Sequence, residues 1–239
     1  MGKHHLKRLA APKTWQISRK GIKFITRPVP GPHNLETAVP ISILLKEIMK
    51  HANTTGDAKK ILKLNEIKID GKARKDFRFP VGIFDTIEFT SLNKYFRLIL
   101  NKKGTLDLIR INKEEALLKP CKIIRKTMVR GKLQLNLYDG KNVYVNSNTY
   151  KVGDTVLLSL PEHKISKHLK LDKKSTIFLI GGRHTGEIGN VEDIIEDRII
   201  YKNQKGNLIE TSKSYAFVVG GNEPVISLHE DEPNERHKN

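Results

Sequence analysis

Apolar positions follow two different periods along this chain, and the switch between them divides it. Ile41, Leu44, Leu45 and Ile48 stand at the i, i+3, i+4, i+7 spacing of one helix side. Residues 53–56 interrupt that pattern. A second short helix follows, with Ala58, Ile61 and Leu62 on one face and Lys59, Lys60 and Lys63 on the other. From residue 65 onward the period falls to two. Residues 65–74 read as a strand that turns at Asp70-Gly71, 77–81 as an irregular connection, and 83–89 as a strand. Residues 95–100 and 105–111 alternate around Asn101-Lys102-Lys103-Gly104, a hairpin signal. Residues 113–118 allow one helical turn, stopped by Pro120. A second hairpin spans 132–145 around Asp139-Gly140, with Leu133, Leu135 and Leu137 facing one way. Further strands are predicted at 156–160, 177–180, 199–201, 208–209 and 215–219, the third and fourth joined around Lys205-Gly206. Two helices and many short strands predict an α+β, β-rich fold: a small two-helix module followed by small β-barrels.

Residues 1–40 follow neither period. Pro12, Pro28, Pro30, Pro32 and Pro40 forbid a long helix, and the stretch RPVPGPH (27–33) is stiff and extended. These residues predict an arm with too little apolar surface to fix itself, one that orders against a partner. Trp15 suits either stacking on a base or packing on the protein's own core. The expected organisation is an extended basic arm (1–40), a compact module (41–90), a central β domain (91–174), a last small barrel (175–221) and an acidic mobile tail (222–239).

Charge adds what the pattern cannot. The chain of 239 residues carries 44 Lys+Arg against 26 Asp+Glu, a net charge of +18. Residues 1–134 hold 30 basic and 11 acidic side chains, whereas 135–239 hold 14 and 15. An excess confined to one half points to a polyanion against that half, nucleic acid ahead of an anionic membrane. In the arm the candidate contacts are Lys3, His4, His5, Lys7, Arg8, Lys13, Arg19, Lys20 and Arg27, all ahead of the first acid, Glu36. In the module, Lys72, Arg74, Lys75 and Arg78 extend the strip begun by Lys59, Lys60 and Lys63. Lys102, Lys103, Arg125, Lys126 and Arg130 are further candidates. The sequence offers no apolar run long enough for a transmembrane helix. One cysteine, Cys121, excludes an internal disulfide and a multi-cysteine zinc site. The basic N-terminus without an apolar run argues against a secretory signal.

Certain stretches resemble known families. Two helices followed by LNEIKIDGKARKDFRFPVGIFDTIEF are similar to the RNA-binding module first seen in small-subunit ribosomal protein four, with Gly82, Asp85 and Ile87 matching its closing strand. That module also occurs in tRNA synthetases and pseudouridine synthases. MGKHHLKRLAAPKTW and RPVPGPH resemble the opening of the archaeal and eukaryotic type of small-subunit ribosomal protein four, the "e" family, and the resemblance continues to the end of the chain. GGRHTGEIGNVEDI (181–194) resembles the KOW motif, a strand-loop-strand of ribosomal proteins and elongation factors. Its glycines suit a tight loop that lets the backbone approach a partner, with a bend or bulge at Gly189 and with Arg183 and His184 at the tip. The resemblance implies a structural, non-catalytic protein of the small subunit, cytoplasmic within the ribosome. Its implied partners are small-subunit rRNA and neighbouring ribosomal proteins, with no membrane, small-molecule substrate or cofactor.

The residues themselves suggest no catalytic site. His4 with His5, and His163 with His168, lack the cysteine or carboxylate support of a metal site. Cys121 is expected to be a buried spectator thiol. The glycine-rich loop at 181 is not followed by Gly-Lys-Ser/Thr, as a nucleotide-binding loop requires. Glu192, Asp193, Glu196 and Asp197 lack calcium-loop spacing. Two other functions stay open: an RNA-modifying enzyme tethered by residues 41–90, and a free RNA-binding regulator that uses the KOW-like loop.

Overall fold

The computed structural model describes residues 5–64 and 66–228. Two short antiparallel strands, β1 (Leu6–Lys7) and β2 (Phe24–Ile25), clasp the arm onto itself. β3 (Ala38–Pro40) then leads into α1 (Ile41–Ile43), which widens into a π-helical turn at Leu44–Ile48. The side predicted from spacing is the buried one: Ile41, Leu44 and Leu45 are all inaccessible. α2 (Thr55–Lys63) follows, then β4 (Ile67–Ile69) and β5 (Lys72–Ala73). Between these strands Asp70 and Gly71 take φ of 51° and 72°, the hairpin turn that an Asp-Gly pair favours. β6 (Pro80–Gly82) pairs back with β3, and β7 (Thr86–Phe89), β8 (Lys94–Leu100) and β9 (Leu106–Ile111) complete a first sheet in the order β5-β4-β7-β8-β9.

This sheet runs straight through the module boundary expected at residue 90. Alternation marked the 95–111 hairpin correctly but could not say which sheet it joins. The short turn after β7 forces β8 alongside it, so the hairpin belongs to the module. The strand expected from residue 83 begins only at Thr86. Phe84, at φ 66°, turns the chain inward before it.

α3 (Lys113–Ala116) passes the chain to a second sheet, built from β10 (Leu118–Val129), β11 (Lys132–Leu137), β12 (Asn142–Val145), β13 (Thr155–Ser159) and β14 (Lys164–Leu169), in the order β12-β11-β10-β13-β14. Pro120 sits inside β10 without breaking it. That stretch of β10 pairs only with β13, so the missing N–H has no ladder partner to lose. The third sheet consists of β15 (Thr176–Leu179), β16 (Ile188–Ile195), β17 (Arg198–Asn203), β18 (Leu208–Ser212) and β19 (Ala216–Gly220), in the order β18-β17-β16-β15-β19. The fold is β-rich with short helices, the class the alternation predicted.

The sheets share their cores. β13 is buried on both faces: Val156 and Leu158 pack with Cys121, Ile123 and Leu135, while Leu157 packs with Leu169 and Ile177 of the neighbouring core. Phe84 of the first unit lies 4.6 Å from Phe217 and 5.5 Å from Phe178 of the third sheet, and Tyr138 lies 6.0 Å from Phe217. Cys121 is a buried thiol, as expected.

Both ends of the described chain depart from expectation. The arm is extended yet docked: Ala11 and Trp15 are buried, and Leu6, Ile17 and Ile25 pack on the main core. Its scattered apolar residues make no periodic face, but each fills a site that the folded module already offers. At the other end the tail was expected to be mobile from residue 222. Instead Ile226 and Leu228 are buried, the Val225 N–H donates to Val219 O, and Ser227 donates to Glu115. Residues 229–239 of that tail lie outside the described residues. No described helix is long and apolar enough to cross a membrane.

Candidate nucleic-acid interface

α2 is started by a capping box. The Thr54 hydroxyl accepts the Asp57 N–H at 3.1 Å, and Asp57 accepts the Thr54 N–H at 2.9 Å. Ala58 and Leu62 anchor the inner face, which leaves Lys59, Lys60 and Lys63 exposed on the outer one. The connection 77–79, irregular in the sequence, is tied down by backbone bonds: Ile41 N–H to Phe79 O at 3.1 Å and Ser42 N–H to Phe77 O at 3.0 Å. Phe77 and Phe79 then act as seats for cations. The Lys59 ammonium lies 4.4 Å from the Phe77 centroid, with Arg78 at 5.7 Å from the same ring, and Arg74 lies 4.3 Å from Phe79. The fold therefore joins α2 to the 72–78 loop, as the charge pattern predicted. Lys72 and Lys75 stand exposed beside it. Among the described residues, Asp76 is the acid that pairs with this strip, through Arg78 at 3.7 Å.

The arm divides its cations. Lys7, Lys13 and Lys20 are exposed, and His5 stacks edge-on against Phe24 at 5.5 Å. Arg8 is held by Glu47. Arg19 turns back onto the carbonyls of Ala11 and Pro12, the latter at 2.7 Å. Arg27 is half-buried. Lys3 and His4 lie outside the described residues. Trp15, open to two readings in the sequence, is buried and donates its indole N–H to Ala38 O at 2.7 Å.

In the third sheet β15 and β16 flank the KOW-like loop as a strand-loop-strand. Arg183 is exposed at its tip, whereas the His184 ring meets Glu187 at 3.1 Å. Gly186 takes φ 80°, and a Cβ there would lie 2.3 Å from Asn101 O. The backbone approach that glycine permits is thus used by the β8–β9 turn of the same chain. The bulge expected at Gly189 falls instead between Val191 and Asp193. Glu187 also accepts the Tyr201 hydroxyl at 3.2 Å; burial, and then the Glu187 charge, push that phenol upward.

Beneath these surfaces lies a charged junction with no signal in the periodicity. Lys119, 2% exposed, donates to Asp70 and Asp85 and lies 3.2 Å from Asp139. Lys141 joins Asp139 at 2.6 Å and Asp70 at 3.1 Å. Asp85 also accepts the Gly82 N–H at 2.9 Å and contacts His33 Nε2 at 3.0 Å. The His33 ring covers Gly82 so closely that a Cβ there would sit 2.2 Å from it. Burial opposes ionisation of Asp85, yet His33 and Lys119, with hydrogen bonds from His33 and Gly82, hold it well below the usual carboxylate range. Burial likewise opposes the charge of Lys119, and the carboxylates around it outweigh that and raise it. Lys119 thus ties the first sheet to the second, and Asp85 joins the end of the arm to them through His33.

Comparison with known proteins places this arrangement. Residues 92–165 match the Ribosomal family S4e, and residues 1–36 match the RS4NT (NUC023) domain. The small ribosomal subunit protein eS4 of Methanocella arvoryzae is 39% identical over 230 residues, which cover 93% of this chain and 97% of that one. The chain belongs to the S4e family of ribosomal proteins. The eS4 protein of Methanopyrus kandleri is 38% identical over 252 residues, covering 96% of this chain and 97% of its own. A crystal structure of the 30S ribosomal protein S4e from Thermoplasma acidophilum superposes with a TM-score of 0.69 at 26% identity, over 81% of this chain and 99% of that chain.

Within this S4e fold the sequence reading missed two sets of residues. Phe77 and Phe79 had a usable signal, since they flank Arg78 just after Arg74 and Lys75, two aromatic rings among basic residues. Lys119 had none. It is one lysine among many, and only the packing of two sheets brings three carboxylates to it.

Proposed function

We propose that this chain is a structural constituent of the small ribosomal subunit, cytoplasmic within the ribosome, and that it binds small-subunit rRNA through its basic front half. The observation that carries the reading is the cation–aromatic strip of Lys59, Lys60, Lys63, Lys72, Lys75 and Arg78, all exposed, with the half-buried Arg74, in a chain of the S4e family. Lys7, Lys13 and Lys20 extend that surface along the arm. Such a strip suits phosphates, which fix position without reading sequence. Cations already seated on aromatic rings lose little side-chain freedom when a phosphate arrives. Arg183 supports a further contact at the tip of the 181–186 loop. His184, engaged by Glu187, supports it less. Arg8 ties the arm to the module through Glu47 and Arg19 folds back on the arm itself, so both act first in shaping it for contact. Neighbouring ribosomal proteins complete its partners. No observation favours the RNA-modifying enzyme or the free regulator.

Sedimentation of small subunits through high salt tests the assignment. The chain should stay with the particle in stoichiometric amount; recovery only in the free fraction overturns it. For the isolated protein, log affinity for rRNA should fall by roughly 0.7–0.9 per phosphate contact for each log unit of salt.

A further inference from the structure

With Trp15 turned into the core, the aromatic side chain that the arm leaves outside is Phe24. In the β1–β2 ladder Leu6 stands opposite Ile25, and Lys7 opposite Phe24. Leu6 and Ile25 pack on the main core, so strand alternation turns Lys7 and Phe24 outward together. Phe24 is 50% exposed, and elsewhere in the arm Leu9 and Ile22 are 78% and 76% exposed. The ring is not loose: the His5 imidazole meets it at 5.5 Å with an interplanar angle of 85°, and the Lys23 ammonium lies 5.6 Å from its centroid. This exposed ring stands in a segment with eight Lys and Arg and no acid before Glu36. An apolar protein surface seated here would strip water from those cations and offer nothing in return. An unpaired nucleobase brings a π-face for the ring and phosphates for the lysines.

We propose that the outward face of the β1–β2 clasp seats an unpaired base of small-subunit rRNA on Phe24, with Lys7 and Lys23 against the flanking phosphates. The proposal rests on the rRNA-binding reading above and adds a base contact to a surface that otherwise needs only phosphates. Stacking differs from phosphate contact in one measurable way: it carries affinity without releasing counterions.

The test uses the full chain and a transcript of small-subunit rRNA, with affinity measured across a range of salt. Phe24→Ala should weaken binding by about tenfold and leave both the salt slope and the unfolding midpoint unchanged. Phe24→Trp should keep the affinity, and its emission, after subtraction of the buried Trp15, should be quenched on addition of RNA. Unchanged affinity in Phe24→Ala, or unquenched emission in Phe24→Trp, overturns the proposal and assigns the face to a neighbouring protein. A lowered salt slope in Phe24→Ala overturns it as well, since the loss is then one of charge. If the unaltered chain shows no salt-sensitive binding, the rRNA reading itself fails, and that result is distinct from the other three.

Discussion

Two groups of cations in this chain have opposite surroundings. On α2 and the loop after β5, exposed lysines stand in water, and Lys59, Arg78 and the half-buried Arg74 lie over phenylalanine rings, with Asp76 the acid beside them. In the junction, Lys119 is enclosed by Asp70, Asp85 and Asp139, and Lys141 pairs with Asp70 and Asp139 at its edge. The same residue type therefore does two jobs. A buried ammonium must be matched by acceptors, which for Lys119 are carboxylates, because the interior solvates it poorly. An exposed one keeps its charge available to a partner. Net charge counts both groups alike, so the useful quantity is the charge left unpaired at the surface.

Variants can separate the groups. The largest effect is expected from Lys119→Met, which leaves three carboxylates without their buried partner. It should lower the unfolding free energy by about 3–5 kcal/mol in a denaturant titration, with no change in the salt slope of rRNA binding. A loss below about 1 kcal/mol would show that the junction tolerates free carboxylates, and the contrast between the groups would disappear.

Acid should act on the same junction. For Asp139, burial opposes ionisation, but Lys119 and Lys141 together bring its pKa from 3.8 down to about 2; Asp85 is lowered too. A carboxylate lowered by folding adds stability above its unfolded pKa, and that stability disappears as pH falls through the folded value. The contribution of Asp139 should thus be constant above about pH 4 and fall between pH 4 and 2, by about 2 kcal/mol. Calorimetry across that window checks it, and Lys119→Met should flatten the profile.

A smaller effect belongs to the cap of α2. Thr54→Ala removes the acceptor for the Asp57 N–H and should cost about 1 kcal/mol, read from the unfolding midpoint. Smallest in stability is the replacement of Lys59, Lys60 and Lys63 with Ala, expected to stay within about 0.5 kcal/mol. Its salt slope for rRNA should nevertheless fall by about 0.7–0.9 for each contact removed. An unchanged slope would take α2 off the contact surface.

The exposed group was legible because it obeys local rules. Helical spacing separated Ala58 and Leu62 from Lys59, Lys60 and Lys63, and the Asp70-Gly71 turn carried the strip onward. The platform beneath it was half legible: Phe77 and Phe79 lie among Arg74, Lys75 and Arg78, but their fixed geometry depends on backbone bonds to Ile41 and Ser42. The arm was misjudged because residues such as Ala11 and Trp15 bury themselves in sites formed by other segments. The hairpin at 95–111 was found, but its sheet was not, since alternation is silent about which strand comes next in the ladder.

By itself the sequence determined the short-range facts: where helices and turns fall, that strands dominate, and that the cationic excess lies in the front half. These follow from spacing, turn residues and charge along a few neighbouring positions. Only the tertiary structure decided which cations stay outside, because that depends on carboxylates far away in the chain. Asp70 and Asp85 reach Lys119 across 49 and 34 residues, and His33 reaches Asp85 across 52. Contacts of that length are set by sheets packing against one another, and no local period encodes them.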